Sequence, residues 1–406
     1  MGAFRIGLLG HGTVGSAFEQ LLAERAGEVE RLTGRAPEIV GVLTRSRGEF
    51  DDILDRSELI VELIGDVDVA HDYVRRALEA GRHVVTANKQ LLSRHGEELW
   101  SLAREGGVAL GFEAAVAGVV PVIRVLRESL AAARIERIHG IVNGTTNFIL
   151  SEMTRTGCDY QEALAEAQRL GYAEADPIDD VGGADAAAKM AILARLAFGV
   201  PVHIDDVRYE GITAITSDDI AFARELGLSL KLIGTAERLP DGISVRVHPA
   251  FLYGGHPLAS VSGAFNAVTV ESDAITEITM SGPGAGGSQT ASAVLGDVVE
   301  AIMGAPALAP ALERLPIVED VMSAFYLHLE VDDRPGVLAQ IAQLLGDAGA
   351  SIKSVVQRGL GERAQLMMVT HPLAHSRLET ALASIARLEH VRAAPRAISV
   401  IDEEFV

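Results

Sequence analysis

The sequence predicts an α/β domain on a parallel sheet, then an α+β domain with a mostly antiparallel sheet, then a ferredoxin-like βαββαβ tail. Three observations carry this: strand and helix patterns alternate over the first 140 residues, longer helices precede a run of strands over 143–303, and six elements in strand-helix-strand-strand-helix-strand order close the chain. The 406 residues suit two or three domains of roughly 150 residues each.

The first domain, 1–142, takes strands at 4–9, 39–43, 59–63, 83–86, 108–112 and 137–142, with amphipathic helices at 14–26, 68–80 and 93–105 between them. It is expected to be completed by 282–304. The second, 143–303, takes helices at 159–170, 183–198 and 217–226 and strands at 230–236, 243–248, 267–271 and 274–280. Pro306, Pro310 and Pro316 break helix and sheet alike and mark a linker at 304–320. The tail, 321–406, takes strand, helix, strand, strand, helix and strand at 325–331, 337–348, 352–357, 363–370, 378–388 and 396–401.

Composition narrows the function classes. A net charge of −21 repels phosphate backbones and anionic lipid headgroups, so neither nucleic acid nor membrane is an expected partner. The single cysteine, Cys158, permits no internal disulfide or thiolate metal cluster and fits a reducing cytosol. The apolar run 108–123 contains Glu113 and Pro121 and is shorter than the roughly 20 residues of a bilayer span. The start of the chain lacks the regions of a signal peptide, so a cytoplasmic protein is expected.

Gly10-His11-Gly12-Thr13-Val14-Gly15 follows a predicted strand and opens a predicted helix. In that setting the glycines allow a tight turn, the approach of a pyrophosphate, and close helix–strand packing, so the first domain reads as a Rossmann-like dinucleotide-binding domain. The second strand runs into Thr44-Arg45-Ser46-Arg47 rather than an acid. Arginines there suit the 2′-phosphate of NADP, with NAD as the alternative.

The chain has four lysines against 31 arginines. A lysine retained in such a background suggests a site that needs an amine able to lose a proton. Asn88-Lys89 closes the fourth strand, at the edge where ligands of doubly wound sheets sit. Asp185 and Lys189 lie four apart on one helical face, close enough to pair. They follow a loop rich in carboxylates, Glu174, Asp176, Asp179 and Asp180.

Ala167-x3-Gly171-Tyr172, Asp176-Pro177-x2-Asp180-Val181-x-Gly183-x-Asp185-x3-Lys189, the glycine loop, Asn88-Lys89 and Asn143-Gly144-Thr145-Thr146-Asn147 together resemble the homoserine dehydrogenase family, from residue 4 to about 300. Asp333-Arg334-Pro335-Gly336-Val337-Leu338 resembles an ACT regulatory domain, as in the long form of the family. No aspartokinase segment precedes the match, so the resemblance is to the monofunctional enzyme.

The resemblance implies interconversion of L-homoserine and L-aspartate 4-semialdehyde with a nicotinamide cofactor. It makes Lys189 the catalytic lysine and Asp185 its orienting acid, and puts Lys89 between nicotinamide and substrate, able to share or take over the proton transfer. Glu174 and Asp180 match substrate-contacting acids, with Tyr172 and Thr145 close by in sequence; Asp176 and Asp179 are read as caps of the next helix. Glu113, Val116, Gly118 and Val120 match a segment that binds a monovalent cation, Na+, through backbone carbonyls, although Ala117 and Val120 stand where the family more often has glycine. Gly286 belongs to a second glycine turn that returns to the cofactor. The tail implies an amino-acid effector near Asp333 and Gly336, L-threonine by family analogy. A homodimer through strand edges is expected, with a homotetramer through the tails as the alternative.

Two other readings fit the sequence less well. Aspartate-semialdehyde dehydrogenase needs a nucleophilic cysteine, and Cys158 does not sit in that pattern. An amino-acid sensor with a vestigial first domain has no use for Asp185, Lys189 and Lys89. The histidines, His11 and His328 among them, are read as mostly structural.

Overall fold

The computed structural model describes residues 2–304, 314–359 and 361–401. The first sheet has five parallel strands in the order Pro37–Leu43, Phe4–Leu9, Leu59–Glu62, His83–Thr86 and Leu110–Gly111. Its central strands are almost continuously buried, as expected where helices cover both faces. The helices Thr13–Thr33, Val67–Glu79 and Lys89–Gly106 alternate with these strands. A further helix, Gly287–Ile302, returns to pack along Thr13–Thr33, and its Ala291, Val294 and Val298 share a core with Phe4, Ile6, Leu8 and Phe18.

The structure departs from two sequence expectations. The strand expected at 108–112 shrinks to Leu110–Gly111, because Gly107 (φ 63°) caps the preceding helix and the Val108 N–H still bonds back to Ala103. The strand expected at 137–142 forms as Ile135–Ile141, but lies in the second sheet, antiparallel to Phe265–Ser272 and Leu228–Leu239. Apolarity marks a strand without naming its partner.

The second sheet runs Thr276–Pro283, Phe265–Ser272, Ile135–Ile141, Leu228–Leu239, Gly242–Tyr253, Arg396–Ile401, Met322–Asp332, Arg363–Thr370 and Ile352–Gly359. Along this path every pairing is antiparallel except one: Gly242–Tyr253 and Arg396–Ile401 run parallel, with Ser399 beside Ala250. The last four strands, with helices Val337–Asp347 and His375–Ile385, form the ferredoxin-like tail, so one sheet continues from the middle of the chain into its end. Arg208–Glu379 (2.7 Å) and Arg396–Asp219 (2.6 Å) add ion pairs across that seam.

Helix Ala184–Phe198 is buried on nearly every side, and Ala186, Ala187, Ala188 and Ala191 let it sit close to the sheet. Pro316 accepts from the Ile243 N–H at 2.9 Å, while Pro306 and Pro310 lie outside the described residues. Among the described residues, no helix is long and apolar enough to cross a membrane.

Candidate active site

The order of the first sheet reverses between Phe4–Leu9 and Leu59–Glu62, and the carboxyl ends of these strands open the crevice where such folds hold ligands. Gly10 (φ 93°) stands there; a Cβ on it would lie 2.5 Å from the Leu63 carbonyl. A Cβ on Gly15 would lie 2.2 Å from the Gly10 carbonyl, whereas Gly12 faces open space. Gly12 caps helix Thr13–Thr33 with no side-chain bond to its first N–H groups, which leaves them for an anion. Gly286 (φ 143°) caps Gly287–Ile302 in the same way, and Gly287 lies against Thr13. Two bare helix N-termini therefore sit together, a fit for a pyrophosphate.

The Gly10 N–H donates to Leu43, which ties the loop to the turn Thr44–Arg47; Thr44 is half-buried, and Arg45 and Arg47 are exposed. The His11 ring pairs with Glu19 at 2.7 Å, and Val14 lies in the first turn of the helix.

Lys89 is the first residue of its helix, and the Asn88 side chain caps that helix by accepting from Leu91 at 3.0 Å. Asn88 is held in turn: its side chain donates to the Ile64 carbonyl (3.1 Å) and its N–H to the Thr86 hydroxyl (3.0 Å). Thr86 donates to Glu62, whose carboxyl burial pushes up to about 7.

The decisive cluster lies where this helix meets Ala184–Phe198. The Asp185 carboxylate accepts from Lys189 Nζ at 2.7 Å through one oxygen and pairs with Lys89 Nζ at 2.9 Å through the other. Lys189 also donates to the Val142 carbonyl at 2.8 Å. Burial opposes ionisation of Asp185, but the two ammoniums outweigh it and hold the carboxyl well below the usual carboxylate range. Burial likewise opposes the charge on Lys89, and Asp185, Asp180 and Asp179 outweigh it, so Lys89 lies above the usual ammonium value.

The Asn143 amide donates to both Asp180 (2.7 Å) and Asp185 (2.9 Å), while its oxygen caps helix Gly144–Thr156 by accepting from Thr146. Burial and the Asp185 charge push Asp180 upward, against the hydrogen bond from Asn143 and the Lys189 charge. Thr145 donates to the Tyr172 carbonyl at 2.6 Å, which brings the 172–180 loop over the cluster; Tyr172 and Glu174 stay exposed. Asp176 accepts from the Ile178 N–H at 3.3 Å, but Pro177 is the N-cap of helix Ile178–Val181 and no side chain caps it, while Asp179 lies inside that helix, so neither acid is the cap expected. Asn143 is the site residue that sequence reasoning missed as a member, although its place before a helix in the quoted Asn-Gly-Thr-Thr-Asn segment was a usable signal.

Glu113 is buried, and its carboxylate accepts from Ile123 (2.9 Å) and Arg124 (2.8 Å); burial pushes it up to about 7. Val116, Gly118 and Val120 are buried with it, and Ala117 (φ 59°) and Gly118 (φ 66°) are both left-handed. A Cβ on Gly118 would lie 2.5 Å from the Gly284 carbonyl, so this segment packs against the second glycine turn. Cys158 lies past the far end of helix Gly144–Thr156, whose last residue is about 16 Å along the axis from Thr145 at 1.5 Å per residue, away from the cluster. Asp333 and Gly336 are exposed in the tail, where Asp333 accepts from Gln357 at 3.1 Å and Gly336 (φ 91°) caps Val337–Asp347.

Residues 10–113 match the NAD-binding domain of homoserine dehydrogenase, 121–299 the homoserine dehydrogenase domain, and 326–390 the ACT domain. A homoserine dehydrogenase of Pseudomonas aeruginosa is 42% identical over 95% of this chain and 96% of its own, and that of Corynebacterium glutamicum is 42% identical over 98% and 95%. The chain belongs to the homoserine dehydrogenase family. The crystal structure of a homoserine dehydrogenase from Thiobacillus denitrificans superposes with a TM-score of 0.95 at 40% identity, covering 98% of both chains. A hyperthermophilic archaeal homoserine dehydrogenase in complex with NADPH gives 0.66 at 28% identity and covers 76% of this chain and all of its own. As a homoserine dehydrogenase the chain is an oxidoreductase acting on a CH–OH group, with a nicotinamide dinucleotide as cofactor, a Rossmann-like domain to hold it, and an ACT domain.

Proposed function

We propose that this homoserine dehydrogenase uses NADP, that Lys189 transfers the proton, and that Lys89, Asp185, Asp180 and Glu174 bind and orient the substrate around it. The observation that carries the reading is the one carboxylate, Asp185, shared by two ammoniums at 2.7 and 2.9 Å. The bound nicotinamide supplies the hydride to the aldehyde carbon of L-aspartate 4-semialdehyde, or takes it back from L-homoserine. Negative charge then grows on the carbonyl oxygen, and a positioned cation that can give up a proton lowers that barrier. An ammonium has three N–H donors, and Lys189 spends two on Asp185 and Val142. The third is left for the oxygen. Asp185 stays ionised throughout and recovers its full pairing when the amine regains a proton from water.

The ammonium of the substrate fits the acids Glu174 and Asp180, with Thr145 and Tyr172 framing the loop. Gly10, His11, Gly12, Thr13, Val14, Gly15 and Gly286 hold the pyrophosphate, while Thr44 and Arg45 face the 2′-phosphate. Na+ is assigned to the carbonyls of Glu113, Val116, Gly118 and Val120, whose oxygen donors suit a hard cation. L-Threonine is assigned to the tail near Asp333 and Gly336; coupling of about 1–3 kcal/mol would change affinity about 5- to 150-fold. The edge strand Thr276–Pro283, largely exposed with one neighbour in the sheet path, supports a homodimer.

Lys189→Ala is expected to lower kcat by about 10²–10⁴ while the dissociation constant for NADPH, read by fluorescence, stays put. A kcat near that of the parent enzyme overturns the assignment. Threonine that changes neither activity nor thermal stability overturns the effector.

A further inference from the structure

Away from the active site, His71 of helix Val67–Glu79 faces His95 and Glu98 of helix Lys89–Gly106. One ligating atom from each lies within 4.8 Å of the others. His71 Nε2 is 2.8 Å from a Glu98 oxygen, and the two imidazoles stack with centroids 4.0 Å apart at 20°. We propose that His71, His95 and Glu98 form a binding site for a divalent transition metal of the zinc class.

The spacing is what such a site needs. Residues three apart share a helix face, so His95 and Glu98 present a nitrogen and an oxygen side by side. Helical bundles build metal sites from the same carboxylate–histidine offset, with further ligands from a facing helix. The two helices are packed together, so His71 enters from the partner element. Tetrahedral donors with bonds of about 2.0–2.1 Å stand roughly 3.4 Å apart, so the three atoms, within 4.8 Å of one another, have at most about 1.4 Å to close. Two imidazoles and one carboxylate favour zinc, nickel or copper over magnesium or calcium.

Nearby charges are mixed, since Asp68 and Glu98 favour a cation and Arg94 opposes it. Three protein donors leave the remaining position to water, so the site binds reversibly instead of holding a permanent structural ion. The ion would tie together two helices, one of which begins at Lys89. His95 lies six residues along it, about 9 Å at 1.5 Å per residue. Metal binding is therefore expected to stiffen the element that carries an active-site lysine.

The test uses the full chain, stripped with chelator and titrated calorimetrically with zinc chloride and separately with magnesium chloride. The expected result is saturable zinc binding that raises Tm, no magnesium binding, and at least about tenfold weaker zinc binding in the H71Q/H95Q double variant. Melting of the metal-free double variant at the parent temperature shows that its fold is kept. Should that variant not fold, Glu98→Gln, on an exposed side chain, takes its place with the same expected loss. Absence of zinc binding to the parent chain, equal binding of magnesium, or zinc binding unchanged by these substitutions overturns the proposal.

Discussion

Asp185→Asn keeps the volume of the side chain and one acceptor oxygen, but removes the charge that Lys89, Lys189 and Asn143 converge on. Its new amide points donors at donors. Removing one partner of a buried ion pair costs about 3–5 kcal/mol, and the Lys189 side chain, 13% exposed, takes most of that loss. The Lys89 side chain is 37% exposed, so its share falls toward the roughly 0–1 kcal/mol of a surface pair. A net loss of about 3 kcal/mol follows, read as a lower urea midpoint at pH 7.

Turnover is expected to fall by about 10²–10⁴, because the ammonium is no longer aimed. Asp185 is depressed in the folded protein, so its contribution is complete above the unfolded value of 3.8 and is lost only as the pH falls through the lower folded value. The stability gap between parent and variant should thus be level from pH 7 down to about the unfolded value of 3.8, narrow as the pH falls further, and close at the lower folded value. With the Asp185 charge gone, burial lowers Lys89, and the alkaline limb of the pH–rate profile moves to lower pH. Turnover within about threefold of the parent, with an unmoved urea midpoint, refutes the shared-carboxylate argument.

Gly10→Ala puts a Cβ 2.5 Å from the Leu63 carbonyl at a φ of 93°; a stability loss of about 1–3 kcal/mol in urea and weaker NADPH binding by fluorescence titration are expected. Arg45→Ala removes an exposed guanidinium from the Thr44–Arg47 turn; losing a charged hydrogen bond of about 1.5–3 kcal/mol should raise the KM for NADPH about tenfold or more and leave that for NADH unchanged, and equal effects on both would remove the 2′-phosphate assignment. Burial, with Glu113 beside it, pushes Asp297 up to about 8, so the folded protein holds a proton that the unfolded chain has released, and stability falls as pH rises from 3.8 toward 8. Asp297→Asn should flatten that decline in thermal melts across pH 5–9, and parallel melting curves would count against it.

The first sheet and the tail were legible because both announce themselves locally, through apolar runs, a glycine turn at a strand end, and the order of six elements. The Asp185–Lys189 pair was legible for the same reason, since four residues of helix place both on one face. What stayed hidden is made by distant segments. Asn143 bridges Asp180 and Asp185 from the end of a strand, and nothing in its neighbourhood names those acids. The strand at 135–141 read like its predecessors but joined another sheet. The chain Glu62–Thr86–Asn88 that seats Lys89 is likewise a product of adjacent parallel strands.

The parallel seam at Ser399 and Ala250 has a further consequence. A regulatory module hung on a linker can swing free, but here its last strand is hydrogen-bonded into the sheet against which helix Ala184–Phe198 packs. An effector bound to the tail would then act through that shared sheet. A chain cut before residue 396 would lay bare Ala250, Phe251 and Leu252 on one flank of Gly242–Tyr253, a short open template for sticking to its own kind.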